Sequence, residues 1–441
     1  MAPAWLLAGA LLLLFLWRVA LPAATHPTHG FSAYYTAARL VLEGQDPARF
    51  YDDDWFREQT VRLGFVGAED IYNVNPPTAA LLLLPLAGLT PPAARAIWTG
   101  LNLLFLVLAL AGVLRLTRGD ALVSAGVLGG AKDLPPAGRD ALAAAGGLAL
   151  LALFQPAREE VRLGQAYALL LLGEVALLWA YLARRERTTG LLLGLLLGVK
   201  TAGLFLPALL LARRRWRALG WTLLAVALVI GLSLPWLGPA AWRTYAGLLP
   251  GFGARPDLAV TAYQDLPGLV WHLLRPDPRW NSAPVLAAPR LAAALAIALP
   301  LTLMAATFLV TWRADPGCRR ADALAFAAWM TLTIILSPVS EDYHHTLLLA
   351  PIAILLAYWR DARPGRPALI ALALGVALIG APLPYKDPAL SAGARALLAY
   401  PKLYGALALW AVALSALRRP AQRAAQVASA ALPAPQPGAA R

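Results

Sequence analysis

Charge is scarce in this sequence, and that scarcity excludes a soluble domain of ordinary composition. Only 14% of the 441 residues are charged, 59% are hydrophobic, and the mean hydropathy is +0.61. A water-facing surface on a chain of this length needs more charge. Leu- and Ala-rich runs of roughly twenty residues recur, and each is long enough to cross a bilayer as a helix. The composition therefore predicts an all-α polytopic membrane protein.

Cysteine and histidine are also few, which argues against disulfide bonds and against a metal site. The single cysteine, Cys318, excludes an intramolecular disulfide. The five histidines form no His-x-x-x-His pair and no His/Cys spacing typical of zinc, so no metal is predicted. The sequence also lacks a soluble domain with a glycine-rich, phosphate-cradling loop. No cofactor is predicted.

Basic residues are plentiful, and their placement explains the net charge of +14 without a nucleic acid. They cluster in short loops between apolar segments, which is the pattern of cytoplasmic loops in membrane proteins. Nucleic acid is therefore not an expected partner, whereas membrane lipids are. The clusters lie at 184–187, 213–217, 319–320, 360–366 and 418–419.

The apolar segments predict about 10–12 transmembrane or re-entrant helices within a single multi-pass domain, residues 1–419. The first segment lacks the basic start of a cleaved signal, so we expect a retained anchor helix, although cleavage near 23–25 stays open. Large outer loops are expected at 22–77 and 235–289. A tail rich in Ala, Pro and Gln, 420–441, is predicted to be disordered and cytoplasmic.

One apolar segment, 189–211, is as long as a single span and yet has basic residues on both sides. Two half-helices meeting at 200–203 would return the chain to its starting side. Broken backbone at membrane depth is tolerated where it lines a cavity. Lys200 lies at this break, and an intramembrane lysine indicates a functional site.

The first outer loop shows internal order. Residues 32–43 have helical spacing, and a second amphipathic helix is expected to begin at Asp53 or Asp54, either of which would cap it. Both helices are expected to lie at the membrane interface and wall a pocket. All five histidines fall in outer loops, so the titratable chemistry concentrates on that face.

Six stretches, in order, resemble the GT-C superfamily of polyprenol-phosphate-dependent glycosyltransferases, and within it the mannosyltransferase-like family 87. The resemblance runs from about residue 28 to 350. The stretches are FSAYYTAARLVLEGQDPARFYD at 31–52, YNVNPPTAALLLLPLAGLTPPAARAIWTGLN at 72–102, RLGQAYALLLLGEVALL at 162–178, GLLLGLLLGVKTAGLFLPALLLARRRWRA at 190–218, TAYQDLPGL at 261–269 and LSPVSEDYHHTLLLAP at 336–351.

This chain departs from the family pattern at five positions: Gly30, Asn75, Tyr167, Asp265 and Glu341. The departure at Gly30 matters most, because the family places its expected general base there. The identity of the base is therefore open.

The resemblance implies a GT-C-like membrane fold and a hexosyltransferase, mannose-like in its sugar. Such an enzyme moves the sugar with inversion from a polyprenyl-phosphate donor to a lipid or glycan acceptor. The expected location is the cytoplasmic membrane of the cell envelope, with the active site on the extracytoplasmic side. A different class stays open, namely a lipid-linked sugar transporter or flippase, or an inactive lipid-phosphate-binding paralogue.

The reaction needs a base for the acceptor hydroxyl, cations for the leaving phosphate and polar groups for the sugar. The expected catalytic residues are Glu341, Asp342, His344, His29 and Asp46. The expected donor phosphate-binding residues are Lys200, His345, Arg158 and Arg162. The expected sugar- or acceptor-binding residues are Tyr34, Tyr35, Asn75, Gln165 and Gln264. Tyr34 and Tyr35 are explained equally well as interfacial aromatics.

Overall fold

The computed structural model describes residues 2–73, 75–117, 136–254, 259–362 and 365–430. Within these ranges the chain is largely helical and forms no β-strand. The α-helices are α1 (Ala2–Phe15), α2 (Leu21–Thr25), α3 (Phe31–Leu42), α4 (Asp53–Arg62), α5 (Pro91–Thr117), α6 (Pro136–Leu153), α7 (Gln155–Leu163), α8 (Tyr167–Leu182), α9 (Glu186–Lys200), α10 (Leu206–Ala212), α11 (Trp216–Leu248), α12 (Leu266–Leu274), α13 (Pro289–Arg313), α14 (Arg319–Leu336), α15 (Leu349–Ala362), α16 (Arg366–Gly380) and α17 (Pro401–Ala430).

The protein is an all-α polytopic membrane protein. Four helical stretches of the described residues are long and apolar enough to cross a bilayer alone: Pro3–Thr25, Pro91–Thr117, Trp216–Phe252 and Pro289–Arg313. Two bent pairs, α6 with α7 and the 3-10 helix Gly393–Ala399 with α17, raise this number to six if each is one span.

Other apolar segments of the sequence form shorter elements. Residues 77–86 form two 3-10 helices, Pro77–Leu81 and Leu84–Leu86, because prolines remove hydrogen-bond donors and limit helix length. Helix α8 has 16 residues, which is about 24 Å at 1.5 Å per residue and less than the ~30 Å of a hydrocarbon core. Helix α17 continues to Ala430, into the segment predicted as a tail, and residues 431–441 lie outside the described residues.

The segment with basic flanks is broken where the sequence predicts. Helix α9 ends at Lys200, Thr201 takes a left-handed backbone with φ of 55°, and the short helix α10 follows. Arg184, before α9, and Arg213, after α10, both bind the carboxylate of Asp322, each at 2.7 Å. Both ends of this α9–α10 hairpin therefore lie on the same side of the molecule.

A glycine stripe sets α9 against the long helix α11. Gly190, Gly194 and Gly198 recur every four residues and so share one face of α9. A Cβ at Gly194 would lie 2.4 Å from the Cβ of Ala225 on α11, closer than two carbons can approach. Small residues let membrane helices approach closely, so this stripe fixes the position of the hairpin.

The segment predicted as the first outer loop, 22–77, contains the two predicted helices, α3 and α4. The cap of α4 is Asp52, whose side chain accepts a hydrogen bond from the Trp55 N–H at 3.2 Å, rather than Asp53 or Asp54. Helix α3 buries most of its residues against an aromatic cluster, so it is packed inside the protein rather than along its surface. The cluster comprises Phe31, Tyr35, Phe50, Phe56, Phe65 and Tyr72.

We predict that Asp322→Ala strongly destabilises the protein. The change leaves the buried Arg213 guanidinium without its carboxylate, a loss of about 3–5 kcal/mol in typical buried pairs. Asp54→Ala is the matched control, because Asp54 pairs with Arg57 at the surface with its side chain 94% exposed, and such pairs contribute about 0–1 kcal/mol. Thermal unfolding in detergent measures both variants. Equal midpoints would contradict the role of Asp322 as an ion-pair clamp between Arg184 and Arg213.

Candidate functional site

A cavity of about 530 Å³ lies where six separate parts of the chain meet. Its walls come from the segment 29–75, the α7–α8 turn, the break after α9, the end of α11, the loop before α12 and the segment after α14. The titratable side chains in the lining, apart from tyrosines, are His29, Asp70, Lys200, Glu341 and His344. Apart from the histidines, Lys200 is the only cationic side chain of this lining in the described part of the chain.

Lys200 reaches the cavity because α9 ends at this residue. A cation at a helix C-terminus is favoured by the exposed carbonyl groups there. The Lys200 Nζ donates a hydrogen bond to the Asn75 Oδ1 and lies 4.9 Å from the ring centre of Tyr34 and 5.8 Å from that of Tyr167. The ammonium is thus held by neutral groups, and the cavity lining carries no carboxylate within ion-pair distance of it in the described residues.

A 3-10 helix, Asp342–Leu348, carries the second group of cavity residues. The Glu341 backbone N–H donates to the His344 Nδ1 at 3.0 Å, so Nδ1 is unprotonated and the neutral ring has its proton on Nε2. Burial lowers the pKa of His344 well below its usual range, and the positive charge of Lys200 lowers it further. The imidazole lies 4.4 Å from the Tyr167 ring between centroids. His344 is therefore a neutral hydrogen-bond donor at neutral pH.

Glu341 is the carboxylic acid at this side of the cavity. Burial raises the pKa of Glu341 to about 7, although the charge of Lys386 and a hydrogen bond from the Tyr343 hydroxyl oppose the rise. The Tyr343 hydroxyl lies 3.2 Å from the Glu341 Oε1. Glu341 is thus partly protonated at neutral pH.

Asp70 also lines the cavity, and sequence reasoning did not single it out as a site residue. Its Oδ2 accepts a hydrogen bond from the Gly30 N–H at 2.5 Å, and its Oδ1 accepts one from the Ile71 N–H at 2.8 Å. Enclosure by protein raises the pKa of Asp70, while these hydrogen bonds and the charges of His29 and Lys200 oppose the rise. No local motif marks Asp70, because its partner Gly30 lies 40 residues earlier.

Several residues predicted to bind sugar or acceptor lie in the cavity wall. The Tyr34 hydroxyl donates to the Gln165 Oε1 at 2.9 Å, and Asn75 bonds to Lys200. Tyr35 lies outside the lining, with its hydroxyl donating to the Leu89 carbonyl at 2.6 Å. Gln264 is also outside it, because its amide bridges the Ala399 carbonyl and the Lys402 N–H.

The remaining predicted residues do not line the cavity either. Asp342 is buried between Lys386 at 3.0 Å and Lys402 at 3.3 Å. His345 is fully buried, with its Nδ1 3.1 Å from the Glu341 carbonyl. Arg158 and Arg162 lie on α7, and Arg162 pairs with Glu159. Asp46 caps the 3-10 helix Pro47–Tyr51 by accepting from the Ala48 N–H.

No cluster of three or more His, Cys, Asp and Glu residues that could hold a metal ion occurs in the described ranges. The cavity instead offers one ammonium, two carboxyl groups, neutral hydrogen-bond donors and aromatic faces. Such a set can bind a phosphate, accept a proton and hold a hydroxylated ring.

Comparison with known proteins gives two matches. A model of glycosyltransferase family 87 matches residues 73–338, more than half of the chain. A mannosyltransferase of Mycobacterium tuberculosis (strain CDC 1551 / Oshkosh), the polyprenol-phosphate-mannose-dependent alpha-(1-2)-phosphatidylinositol pentamannoside mannosyltransferase, is 29% identical over 202 residues. This alignment covers 46% of the chain and 42% of that relative's length. No solved structure matches the chain.

We predict that Glu341→Gln changes how stability depends on pH. Folding raises the pKa of Glu341 from 4.5 to about 7, so the wild type is favoured by this group below pH 4.5 and loses that contribution as pH rises through 7. Glutamine does not ionise, so the stability of the variant does not change with pH through this residue. The unfolding midpoint of Glu341→Gln minus that of the wild type should therefore be larger at pH 8 than at pH 5. Glu58→Gln, exposed on α4, controls for losing a carboxylate. An unchanged difference between the two pH values would contradict the prediction.

Proposed function

Because the chain belongs to glycosyltransferase family 87, we propose that this membrane glycosyltransferase moves a mannose-like hexose from a polyprenyl-phosphate donor to a lipid or glycolipid hydroxyl. The reaction inverts the anomeric centre and releases polyprenyl phosphate. The observation that carries the proposal is the Lys200 ammonium, which lies in a cavity with polar sugar-binding groups and has no carboxylate partner in the described lining.

The donor phosphate is assigned to Lys200. A phosphate diester or monoester in a largely apolar protein needs a cation, and charge-assisted hydrogen bonds are the strongest such contacts. In the described residues the Lys200 Nζ contacts the Asn75 amide oxygen and two tyrosine faces, so a phosphate can replace the amide contact without breaking an ion pair. The neutral His344, with Nε2–H available, supplies a second donor for the phosphate or the sugar.

The sugar is assigned to the neighbouring wall. Tyr34 and Tyr167 face the cavity beside Lys200, and aromatic faces suit the C–H face of a hexose. Gln165 and Asn75 supply amide groups for its hydroxyls. The polyprenyl chain is assigned to the apolar lining at Leu204, Leu249 and Phe252.

The active site is assigned to the extracytoplasmic side of the cytoplasmic membrane. Helix α9 separates Lys200 from the Arg184–Arg213–Asp322 clamp by 15 residues, or about 22 Å. Arg184 and Arg213 of this clamp lie in the basic clusters 184–187 and 213–217, and basic loops of membrane proteins favour the cytoplasmic side. The cavity at the other end of α9 then opens toward the outer face.

The test is sugar transfer in vitro from polyprenyl-phosphate mannose to a glycolipid extract, with donor binding measured separately. Lys200→Met should weaken donor binding and lower the transfer rate by about 10²–10³-fold, as expected on losing a group that stabilises developing charge. Lys200→Arg should retain part of both. Arg57→Met, at the surface of α4, is the control for losing a cation.

Two results would contradict this function. One is full donor binding and transfer by Lys200→Met. The other is a wild-type protein that moves the lipid-linked sugar across vesicle membranes but transfers none of it, which is the behaviour of a flippase.

A further inference from the structure

Position 30, where the resemblance places an acidic residue, has no room for any side chain. Gly30 has φ of +83°, a left-handed conformation that disfavours other residues. A Cβ there would lie 2.4 Å from the Gln165 Nε2 and 3.0 Å from the Leu163 carbonyl oxygen. Gln165 is itself fixed by the Tyr34 hydroxyl. A carboxylate cannot enter the cavity from this residue.

The same glycine instead holds a carboxylate from elsewhere in the chain. Its backbone N–H points at Asp70, whose Oδ2 it binds at 2.5 Å. The Ile71 N–H holds the other oxygen. Each oxygen retains a lone pair, because a carboxylate oxygen accepts about two hydrogen bonds. Asp70 therefore has a fixed orientation in the cavity lining and unused acceptor capacity.

We propose that Asp70 is the general base of the transfer reaction, in the place that Gly30 leaves without an acid. This assignment rests on the proposed function. The Asp70 carboxylate takes the proton of the acceptor hydroxyl, and the acceptor oxygen forms a bond to the anomeric carbon. The bond from that carbon to the phosphate oxygen breaks, and its electron pair leaves with polyprenyl phosphate. The proton stays on Asp70, so no further reactant is needed.

The other acids of the region are less suited to this step. Asp342 is engaged by Lys386 and Lys402, and Asp46 is used as a helix cap outside the cavity. Glu341 lines the cavity but accepts a hydrogen bond from the Tyr343 hydroxyl, and burial raises its pKa to about 7. When two carboxyl groups of one cavity have different environments, their pKa values differ, and one can act as a base while the other keeps its proton. Asp70, whose charged form two backbone N–H groups stabilise, suits the role of base, and Glu341 suits that of the proton-bearing group.

The experiment compares Asp70→Asn, Asp70→Glu and Glu69→Gln in steady-state transfer and in donor binding. Asparagine keeps the shape but has a single acceptor oxygen, so it can accept from only one of the Gly30 and Ile71 N–H groups. Folding of the variant is therefore checked by the unfolding midpoint. Asp70→Asn should lower kcat by about 10²–10⁴-fold, the usual size of base catalysis, with donor affinity within about threefold of wild type. Glu69→Gln, the adjacent carboxylate outside the lining, should retain wild-type transfer.

The pH profile separates a base from a merely structural aspartate. The titratable groups that interact electrostatically with Asp70 are His29, Lys200, Glu341, Tyr34 and Tyr343. In wild type, kcat should fall on the acid side as Asp70 takes up a proton. The residual rate of Asp70→Asn should lack this fall, whereas Asp70→Glu should keep it with partial activity.

The outcomes are distinguishable. Loss of transfer in Asp70→Asn with donor binding retained supports the assignment. Retained transfer in Asp70→Asn, with loss in Glu341→Gln, overturns it and makes Glu341 the base. A wild-type protein that neither binds polyprenyl-phosphate mannose nor transfers from it contradicts the proposed function, and the assignment of Asp70 falls with it.

Discussion

The structure depends on how one ammonium group is accommodated at the end of an apolar helix. Lys200 follows the apolar sequence GLLLGLLLGV, which contains no polar or charged side chain that could solvate or neutralise the ammonium. A charge in such a setting needs polar partners and access to a cavity. The chain supplies these by ending α9 at Lys200, turning through the left-handed Thr201, and bringing Asn75 and two tyrosine faces to the Nζ. The break, the cavity and the cation are thus consequences of one constraint.

The opposite end of the hairpin keeps this arrangement in place. Asp322 binds Arg184 and Arg213 together, so the two ends of the α9–α10 hairpin cannot separate. The glycine stripe of α9 then fixes the depth of Lys200 against α11. An ion-pair clamp at one end and close helix packing along the length make the cavity a preorganised site. Fixed dipoles and charges are worth more to catalysis than groups that must move into place.

Composition and charge pattern predict much of this from the sequence. Hydropathy gives the membrane class, and the basic flanks of 189–211 give the break at Lys200, because one span cannot have both ends on the cytoplasmic side. Helical spacing gives α3 and α4. These inferences rest on local chemistry, which a sequence displays directly.

Orientation of single side chains is harder, because it depends on contacts between distant residues. Asp342 and Gln264 appear free in the sequence, but in the fold Lys402 meets both, Asp342 through its side chain and Gln264 through its backbone N–H. Asp70 appears as one more loop acid, and only the conformation of Gly30 gives it a defined place. Asp46, Asp342 and His345 stay predictions as functional residues, and the side chains of Asp46 and Asp342 already make structural contacts. Glycine at position 30 shows in the sequence that the acidic side chain expected there is missing. The sequence alone does not show which other residue could replace it.

The central claim is that Lys200 binds the phosphate of a lipid-linked sugar in this cavity. A cryo-electron microscopy structure with polyprenyl-phosphate mannose tests it most directly. The account predicts phosphate density within hydrogen-bond distance of the Lys200 Nζ, about 2.7–3.0 Å, with the sugar against Tyr34 and Tyr167. Phosphate bound elsewhere, with Lys200 still on Asn75, would contradict it.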